Sequence, residues 1–430
     1  MRPKILILGG GFGGAYCAQA LADKLGPRQA EIRLLDPNNF FVFYPFLIEA
    51  GTGSLAPSHA VVSIRSFLKD AAFSMTRVVG ADLDSKQVFC RRDGSTVDET
   101  FDYDHLVIAL GSVTRMLPVP GLTEYGFGIK NLADAIALRD RAIRMLERAN
   151  DITDPQQRRD LLSFVVVGGN FTGVEVAGEF HTFLRQASRR YPNLDPDDCR
   201  VTLIEIADRI LPALDEELSR YAVRKMRDRG VEVRLESSVT AVAADKVTLA
   251  TGADLPCGTL IWCAGISPHP VLRELDLPTD DLGYVLCDPN LRVSGRENVW
   301  AIGDCAVNPD RNGKPYPATA QHATRQGKHL ADNLVRVLNA KDILPFDYDS
   351  RGSLVGIGCR TGVAKVFGIK LSGFAAWFLW RTFYLLMLPG WSRKMRVALD
   401  WTMDLLFTRD YVQLGVLRNR NDPPADRPGA

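Results

Sequence analysis

An α/β protein with two parallel sheets is what the sequence predicts, and three observations predict it. An apolar run at residues 5–8 leads straight into a glycine-rich turn and then a helical pattern at residues 15–25. The same strand–glycine–helix order recurs, with an apolar run at residues 164–167 and a helical pattern at residues 174–186. After each, a further strand (residues 31–35, then 201–204) ends on an acid, Asp36 and Glu205 respectively. A strand that is apolar throughout is covered on both faces, as in a parallel sheet with crossover helices.

The turns specify a ligand class. Gly9, Gly11 and Gly14 fit G-x-G-x-x-G between a strand and a helix. The first glycine makes the tight turn, the second lets backbone approach a pyrophosphate, and the third lets helix and strand pack closely. The helix N-terminus then faces the phosphates. Asp36, at the next strand end, can accept hydrogen bonds from ribose hydroxyls. In the second turn Gly168 and Gly173 keep the outer positions, and Asn170 stands where the middle glycine usually sits. Its backbone is therefore expected farther from the phosphates, with asparagine tolerating positive φ if the turn needs it. Glu205 would accept from a 2′-hydroxyl and repel a 2′-phosphate, which favours NADH over NADPH. Arg209 is read as a solvated surface residue.

Bulk properties set limits. A chain of 430 residues predicts two or three domains. Apolar residues at 46% and charged residues at 24% are ordinary for a globular enzyme, and a net charge of +1 gives no global attraction to nucleic acid. The eight cysteines contain no CxxC pair, which argues against a zinc site or a disulfide framework, so no metal is expected. The first residues run directly into the first strand, so no targeting peptide is expected.

Three later segments carry a resemblance. Residues 106–112, with Ala109 and Gly111, resemble the strand–turn that returns the chain between domains in two-dinucleotide flavoproteins of the glutathione-reductase-like type. Residues 260–265, with Ala264 and Gly265, resemble its partner, and residues 299–304 resemble the late strand whose acid, here Asp304 after Gly303, binds the flavin ribityl chain. The resemblance implies a discontinuous FAD-binding domain at 1–118 and 291–345, with an NADH-binding domain at 119–290 inserted in it.

Residues 317–327 (Pro-Ala-Thr-Ala-Gln-His-Ala-Thr-Arg-Gln-Gly) are similar to the A-Q-x-A-x-x-Q helix of type II NADH:quinone oxidoreductases, the non-proton-pumping NADH dehydrogenases. The similarity covers nearly the whole chain and is most specific at residues 172–179, 320–326 and 371–409. Departures are Asn170, Leu110 and Cys263. The resemblance implies hydride transfer from NADH to FAD and then two electrons to a membrane quinone. It puts Gly9, Gly11, Phe12, Gly13, Gly14 and Asp36 on FAD, with Ala109, Gly111, Gly303, Asp304, Ala320 and Gln321. It puts Gly168, Gly169, Asn170, Thr172 and Gly173 on NADH, with Glu175, Glu205, Ala264 and Gly265. Gln321 and Gln326 fall to the quinone, and Glu175 and Gln321 to catalysis.

The chemistry suits those types. A helix N-terminus near Thr319 would stabilise negative charge on a reduced flavin, and Gln321, with both a donor and an acceptor, suits a quinone carbonyl or the flavin edge. Glu175, early in its helix, is either a helix-terminal acid with no further task or a group that positions nicotinamide or assists quinone protonation. His322 and His329 are read as surface residues.

The tail predicts membrane contact. Residues 371–391 hold four aromatics between 374 and 380 and a single charge, Arg381. An arginine near mid-span costs roughly 2.5–3.5 kcal/mol, and Pro389-Gly390 ends the run. The next segment is amphipathic, with Arg393, Arg396, Asp400 and Asp404 on one face and Met395, Ala398, Thr402, Leu405 and Leu406 on another. Helices lying in the interface are expected, with Arg381 snorkelling to headgroups and Arg393, Lys394 and Arg396 meeting them. A dimer surface is the competing reading, and the two can coexist. Residues 346–418 are thus expected to form a C-terminal amphipathic helical, membrane-associating and dimerising region. Residues 419–430, polar and proline-rich, are expected to be disordered. The family resemblance implies a peripheral, monotopic homodimer on the cytoplasmic face of the inner membrane. Rival readings are a sulfide:quinone oxidoreductase, which needs flavin-facing cysteines and no nicotinamide site, and an apoptosis-inducing-factor-like flavoprotein acting through a partner.

Overall fold

The computed structural model describes residues 2–350 and 352–415, so the tail expected at 419–430 lies outside the described residues. The chain forms two compact units: residues 1–42, 61–113 and 266–350, and residues 43–60, 114–265 and 351–430.

The first unit is built on a five-stranded parallel sheet in the order Val299–Ala301, His105–Ile108, Lys4–Leu8, Glu31–Asp36, Ala72–Met75. The first strand of the sequence is central, and residues 5–8 of it are fully buried. Its crossover helix, Phe12–Lys24, lies against the helix Ala320–Leu338 at glycine contacts. A Cβ on Gly327 would stand 2.3 Å from the carbonyl oxygen of Gly13. Below the sheet, Leu6, Leu8 and Val299 share a core with Leu272, Leu275 and Val285. Residues 266–290, expected in the second domain, therefore belong to the first unit, because their apolar side chains complete its core.

The second unit repeats the plan. Its parallel sheet runs Gly126–Phe127, Thr259–Trp262, Ser163–Val167, Arg200–Ile204, Val231–Arg234, and every residue of the central strand is buried. The helix Phe171–Ser188 follows that strand. A three-stranded antiparallel sheet, Gly352–Gly356, Gly362–Val366 and Ile369–Ser372, leads into the helices Gly373–Met387 and Trp391–Leu406. Its strand connection touches Phe171–Ser188 backbone to backbone: a Cβ on Gly178 would lie 2.6 Å from the Ile357 carbonyl. The C-terminal region is thus integral to this unit. Residues 43–60, expected in the FAD domain, also belong here. Phe46 packs edge-on against Trp401 at 5.4 Å and Trp380 at 6.2 Å.

The break at Pro389-Gly390 is where the sequence puts it, with Gly390 at φ +88° opening the last helix. Among the described residues no helix is long and apolar enough to cross a membrane. The last helix is amphipathic, but its acids face inward. Asp400 accepts from Ala56 N–H at 3.0 Å and pairs with His59 Nδ1, while Asp404 pairs with Arg409 at 2.6 Å. Val397 and Trp401 are buried between them. Met395, Leu399, Met403 and Leu406 are left exposed, as are Phe374, Phe378 and Leu386 of the preceding helix.

Two expectations about the tail cations are corrected. Arg381 does not reach outward: its side chain is 12% exposed, 3.6 Å from Glu49, with the Trp401 and Trp377 rings at 4.2 and 4.8 Å. A buried carboxylate and two aromatic faces neutralise the charge, so headgroups are not needed. Arg393 and Lys394 donate to the carbonyls of Pro389 and Leu386, satisfying backbone groups left over at the preceding helix end. Arg396 remains exposed.

Candidate functional site: two glycine cradles and a buried carboxylate cluster

In the first unit Gly9 has φ +99°, and a Cβ there would stand 2.3 Å from the Ala109 carbonyl oxygen. Only glycine fits. A Cβ on Gly14 would meet the Gly9 carbonyl oxygen at 1.9 Å, so helix and turn are in backbone contact. Gly11, the helix N-cap, has nothing within 4 Å of a built Cβ. That open space lies at a helix N-terminus, where a pyrophosphate is stabilised.

Asp36 bridges the turn, its Oδ2 accepting from Gly10 N–H at 2.6 Å and its Oδ1 from Asn38 N–H at 2.7 Å. Burial pushes this carboxyl up, and the two backbone donors pull it back. Ser112 Oγ donates to Asp304 Oδ2 at 3.0 Å, beside Gly303 at φ +74°. Phe12 packs edge-on against Phe41 at 5.6 Å. Ala109, Gly111, Gly13 and these residues lie in one unit, and an open phosphate cradle with acids at the ends of two strands of the same sheet fits FAD.

The helix Ala320–Leu338 starts at Thr319, which caps it by accepting from His322 N–H. Gln321 is half-buried and donates to Ser350 Oγ at 2.8 Å. Gln326 is buried, and its carbonyl oxygen accepts from Gly303 N–H at 2.8 Å. Its acceptor is thereby committed to the Asp304 turn, leaving Gln321 the more accessible of the two glutamines. His322 is not a surface residue. It is buried against the Tyr316 and Tyr348 rings, with Nδ1 2.7 Å from Thr319 Oγ1. His329 is half-buried, with Nε2 2.8 Å from the Leu344 carbonyl.

The second cradle matches the first closely. Gly168 has φ +110°, and a Cβ on Gly173 would lie 1.8 Å from the Gly168 carbonyl oxygen. Glu205 accepts from Gly169 N–H with Oε2 and from Ala207 N–H with Oε1 at 2.8 Å. Asn170 differs from expectation in its backbone, which is extended at φ −75° and ψ −177°. Its side chain caps the helix: Oδ1 accepts from Gly173 N–H at 3.0 Å, and Nδ2 donates to the Cys263 carbonyl at 2.6 Å. The residue is there for its amide, not for a left-handed turn. Thr172 sits in the first helical turn, and Gly265, beside Ala264, has φ +96°. Arg209 donates to Pro212 in its own loop.

Glu175 accepts from Gly356 N–H at 3.2 Å. Burial, with Glu179 and Glu49 adding, pushes its carboxyl to about 8 against the bonds from Gly356 and Trp380. The protonated acid is therefore available near neutral pH, unlike a simple helix-terminal carboxylate. Around it lies a cluster that sequence reasoning missed. Glu49 is buried, accepts from Trp401 Nε1 at 2.8 Å, and is pushed to about 7, chiefly by burial. Glu179 is also raised by burial, with Arg409 and Arg381 opposing. Glu179 was findable, four residues after Glu175 and so on the same helix face. Glu49 and Arg381 were not, because no local pattern links them.

Residues 3–327 match the family model described as pyridine nucleotide-disulphide oxidoreductase, and residues 350–410 match the NDH2 C-terminal domain. A probable NADH dehydrogenase of Dictyostelium discoideum is 31% identical over 95% of this chain and 90% of its own. The type II NADH:quinone oxidoreductase of Staphylococcus aureus is 30% identical over 88% of this chain and 93% of its own. Among solved structures, NDH2 from Plasmodium falciparum in complex with NADH superposes with a TM-score of 0.89 at 21% identity, covering 96% of this chain and all of that one.

Proposed function

The chain belongs to the type II NADH:quinone oxidoreductases, within the pyridine nucleotide-disulphide oxidoreductase family, and from that premise we propose how its residues divide the reaction. The enzyme is FAD-dependent and oxidises NADH with a quinone as acceptor. The observation that carries our division of labour is the pair of cradles, each with an acid bonded across its glycine turn.

Bound FAD supplies a two-electron carrier between the substrates. Gly11 and the Phe12–Lys24 helix N-terminus hold its pyrophosphate, and Asp36 and Asp304 its ribose and ribityl hydroxyls. The glycine turn at 168–173 and Glu205 hold NADH, Asn170 capping the helix behind the turn, with Glu205 accepting from the 2′-hydroxyl, so a 2′-phosphate is disfavoured. Gln321 donates from its Nε2 amide to a quinone carbonyl. Quinol formation consumes one solvent proton in addition to the hydride of NADH: NADH + H⁺ + quinone gives NAD⁺ + quinol. Glu175, protonated near neutral pH, is the group that holds that proton.

The exposed apolar faces of Gly373–Met387 and Trp391–Leu406 rest on a lipid surface, on the cytoplasmic side of the inner membrane. What supports this is the inward turn of Asp400 and Asp404, which strips that face of acids. Arg396 would meet headgroups. Deleting the tail would not test this, since Trp401 and Arg381 support Glu49. Charge introduced at Leu399, Met403 and Leu406 in the full chain should abolish flotation with liposomes while leaving NADH oxidation by a short-chain quinone intact. Unchanged flotation, with loss of a dimer, would make the face a subunit contact. For the site, pre-reduced Gln321→Ala should be slow in transferring electrons to quinone. A variant slow instead in flavin reduction by NADH would reverse our assignment.

A further inference from the structure

The second unit contains a cavity of about 660 Å³ whose wall includes Glu49, Glu179, Arg381, Arg409, Trp377 and Cys359. Glu175 is absent from that wall, although Glu179 stands one turn along the same helix and on the same side. Resting on the reading of Glu175 as proton holder, we propose that this cavity is the water-filled inlet by which solvent protons reach Glu175, with Glu179 as the carrier between them.

The geometry gives the cavity the attributes such an inlet needs. It is roomy, and acids and arginines that can bond water line its inner wall, which favours water over an empty space. It reaches the surface at Arg189, Arg190, Cys359 and Arg360, all exposed, and ends at carboxylates inside. The groups facing Glu179 are Glu175 on its own helix, Glu49 from Leu47–Thr52, Arg381 from Gly373–Met387, Asp404 from Trp391–Leu406, and Arg409 and Arg229. The arginines stabilise the anion left after transfer, and burial with neighbouring acids stabilises the proton before it. A carrier must be comfortable in both states. In the step, Glu179 Oε–H passes its proton to the Glu175 carboxylate, and a cavity water network returns one to Glu179. Glu175 in turn protonates the quinone oxygen, whose two electrons come from NADH. Only O–H bonds break and form, and the sum is the reaction already written.

Cys359 makes a probe that needs no change to the carboxylates. Of the eight cysteines it is the exposed one, and it lies on the cavity wall. The experiment uses FAD-loaded full-length enzyme, reduced with one equivalent of NADH and mixed with a short-chain quinone in weak buffer with a pH-indicator dye. Flavin reoxidation and proton uptake are followed together. Glu179→Gln should slow both by about tenfold or more, Glu179→Asp should restore most of the rate, and a bulky maleimide on Cys359 should slow proton uptake severalfold. Flavin reduction by NADH should be unchanged in the labelled enzyme, and Cys359→Ser should abolish the label's effect. Wild-type uptake in the labelled enzyme together with wild-type reoxidation in Glu179→Gln overturns the inlet. So does a Glu179→Gln defect that Asp fails to rescue and the label fails to reproduce, which marks a structural role. If Glu179→Gln does not fold, the label decides alone. Glu175→Gln separates the two readings: if it leaves reoxidation intact, the assignment of Glu175 itself falls, whereas a slow Glu175→Gln beside a normal Glu179→Gln removes only the inlet.

Discussion

Asp36 and Glu205 do the same thing in two places. Each ends the second strand of its sheet, accepts from the N–H after the first glycine of its turn, and accepts again from the residue two positions beyond itself. The first and third glycines are equally interchangeable, with built Cβ atoms of Gly14 and Gly173 at 1.9 and 1.8 Å from the same carbonyl of each turn. The units part company at three aligned positions. Gly11 is open where Asn170 fills the cradle with an amide. Gly13 lets a second helix approach, where Thr172 does not. Tyr16 joins an aromatic group with Phe67 at 5.0 Å, where Glu175 is a half-buried acid. A common backbone frame thus carries two local chemistries, an open turn at Gly11 and a turn filled by an amide, with a titratable acid following in its helix.

The largest effects should come from the shared frame. Gly14→Ala and Gly173→Ala each drive a Cβ into backbone, which cannot move as a side chain can, and each should cost about 3 kcal/mol or more. Calorimetry of both purified variants checks this, and tolerance of either one would show that the frames are not equivalent. Gly11→Asn then imposes the second turn's chemistry on the first. Because nothing lies near that Cβ, stability without FAD should stay within about 0.5 kcal/mol. FAD should dissociate about tenfold more readily, a loss of roughly 1.4 kcal/mol, as measured by flavin retained through gel filtration.

Glu175 against Tyr16 sharpens the comparison through pH. With its carboxyl raised from 4.5 to about 8, folded Glu175 keeps a proton that the unfolded chain releases between those values. Stability is therefore lost as pH rises across that window, and the loss is complete above about 8. Glu175→Gln removes this loss, because an amide does not titrate. The variant should therefore gain about 1–3 kcal/mol relative to wild type on going from pH 5 to pH 8. Tyr16, also raised from its ordinary value of 10.0 by burial, is neutral throughout that range. Tyr16→Phe should show no such pH dependence in thermal melts, and equal slopes for the two variants would break the contrast.

What could be read from the sequence was what is local. Both glycine turns, their strand-end acids, the helix start at Thr319 and the break at Gly390 depend on residues within a few positions of one another. What could not be read depends on long-range packing. Residues 43–60 join the second unit because Phe46 meets Trp401 and Glu49 meets Arg381. Arg381 looks like an outward-reaching cation in a tail of aromatics until that carboxylate is brought to it. The same gap inverted the last helix: its acids look solvent-facing until His59 and Arg409 pair with them. His322 was misjudged for a related reason, its tyrosine neighbours at 316 and 348 giving no periodic signal.

The smallest and most informative change is Asn170→Gly, which makes the second turn a copy of the first. Two bonds go: the cap from Gly173 N–H to Oδ1 and the bond from Nδ2 to the Cys263 carbonyl. Replacing an asparagine cap with glycine costs only a few tenths of a kcal/mol. The half-exposed turn lets water take over at the carbonyl, so the total should stay near 1 kcal/mol. Against this, Gly173 N–H is released to the helix N-terminus, and the backbone is bared to a pyrophosphate. NADH should bind about threefold more tightly, some 0.6 kcal/mol. NAD⁺ carries the same pyrophosphate and should gain equally. Tighter binding shared by both nucleotides does not lower the barrier to hydride transfer, so flavin reduction at saturating NADH should keep its rate while product release slows. Stopped-flow titration with NADH and inhibition by NAD⁺ give both affinities, and calorimetry gives the stability term. If NADH binding weakens beyond the lost stability, Asn170 is itself a nucleotide ligand, and the second cradle is a different solution instead of a loosened version of the first.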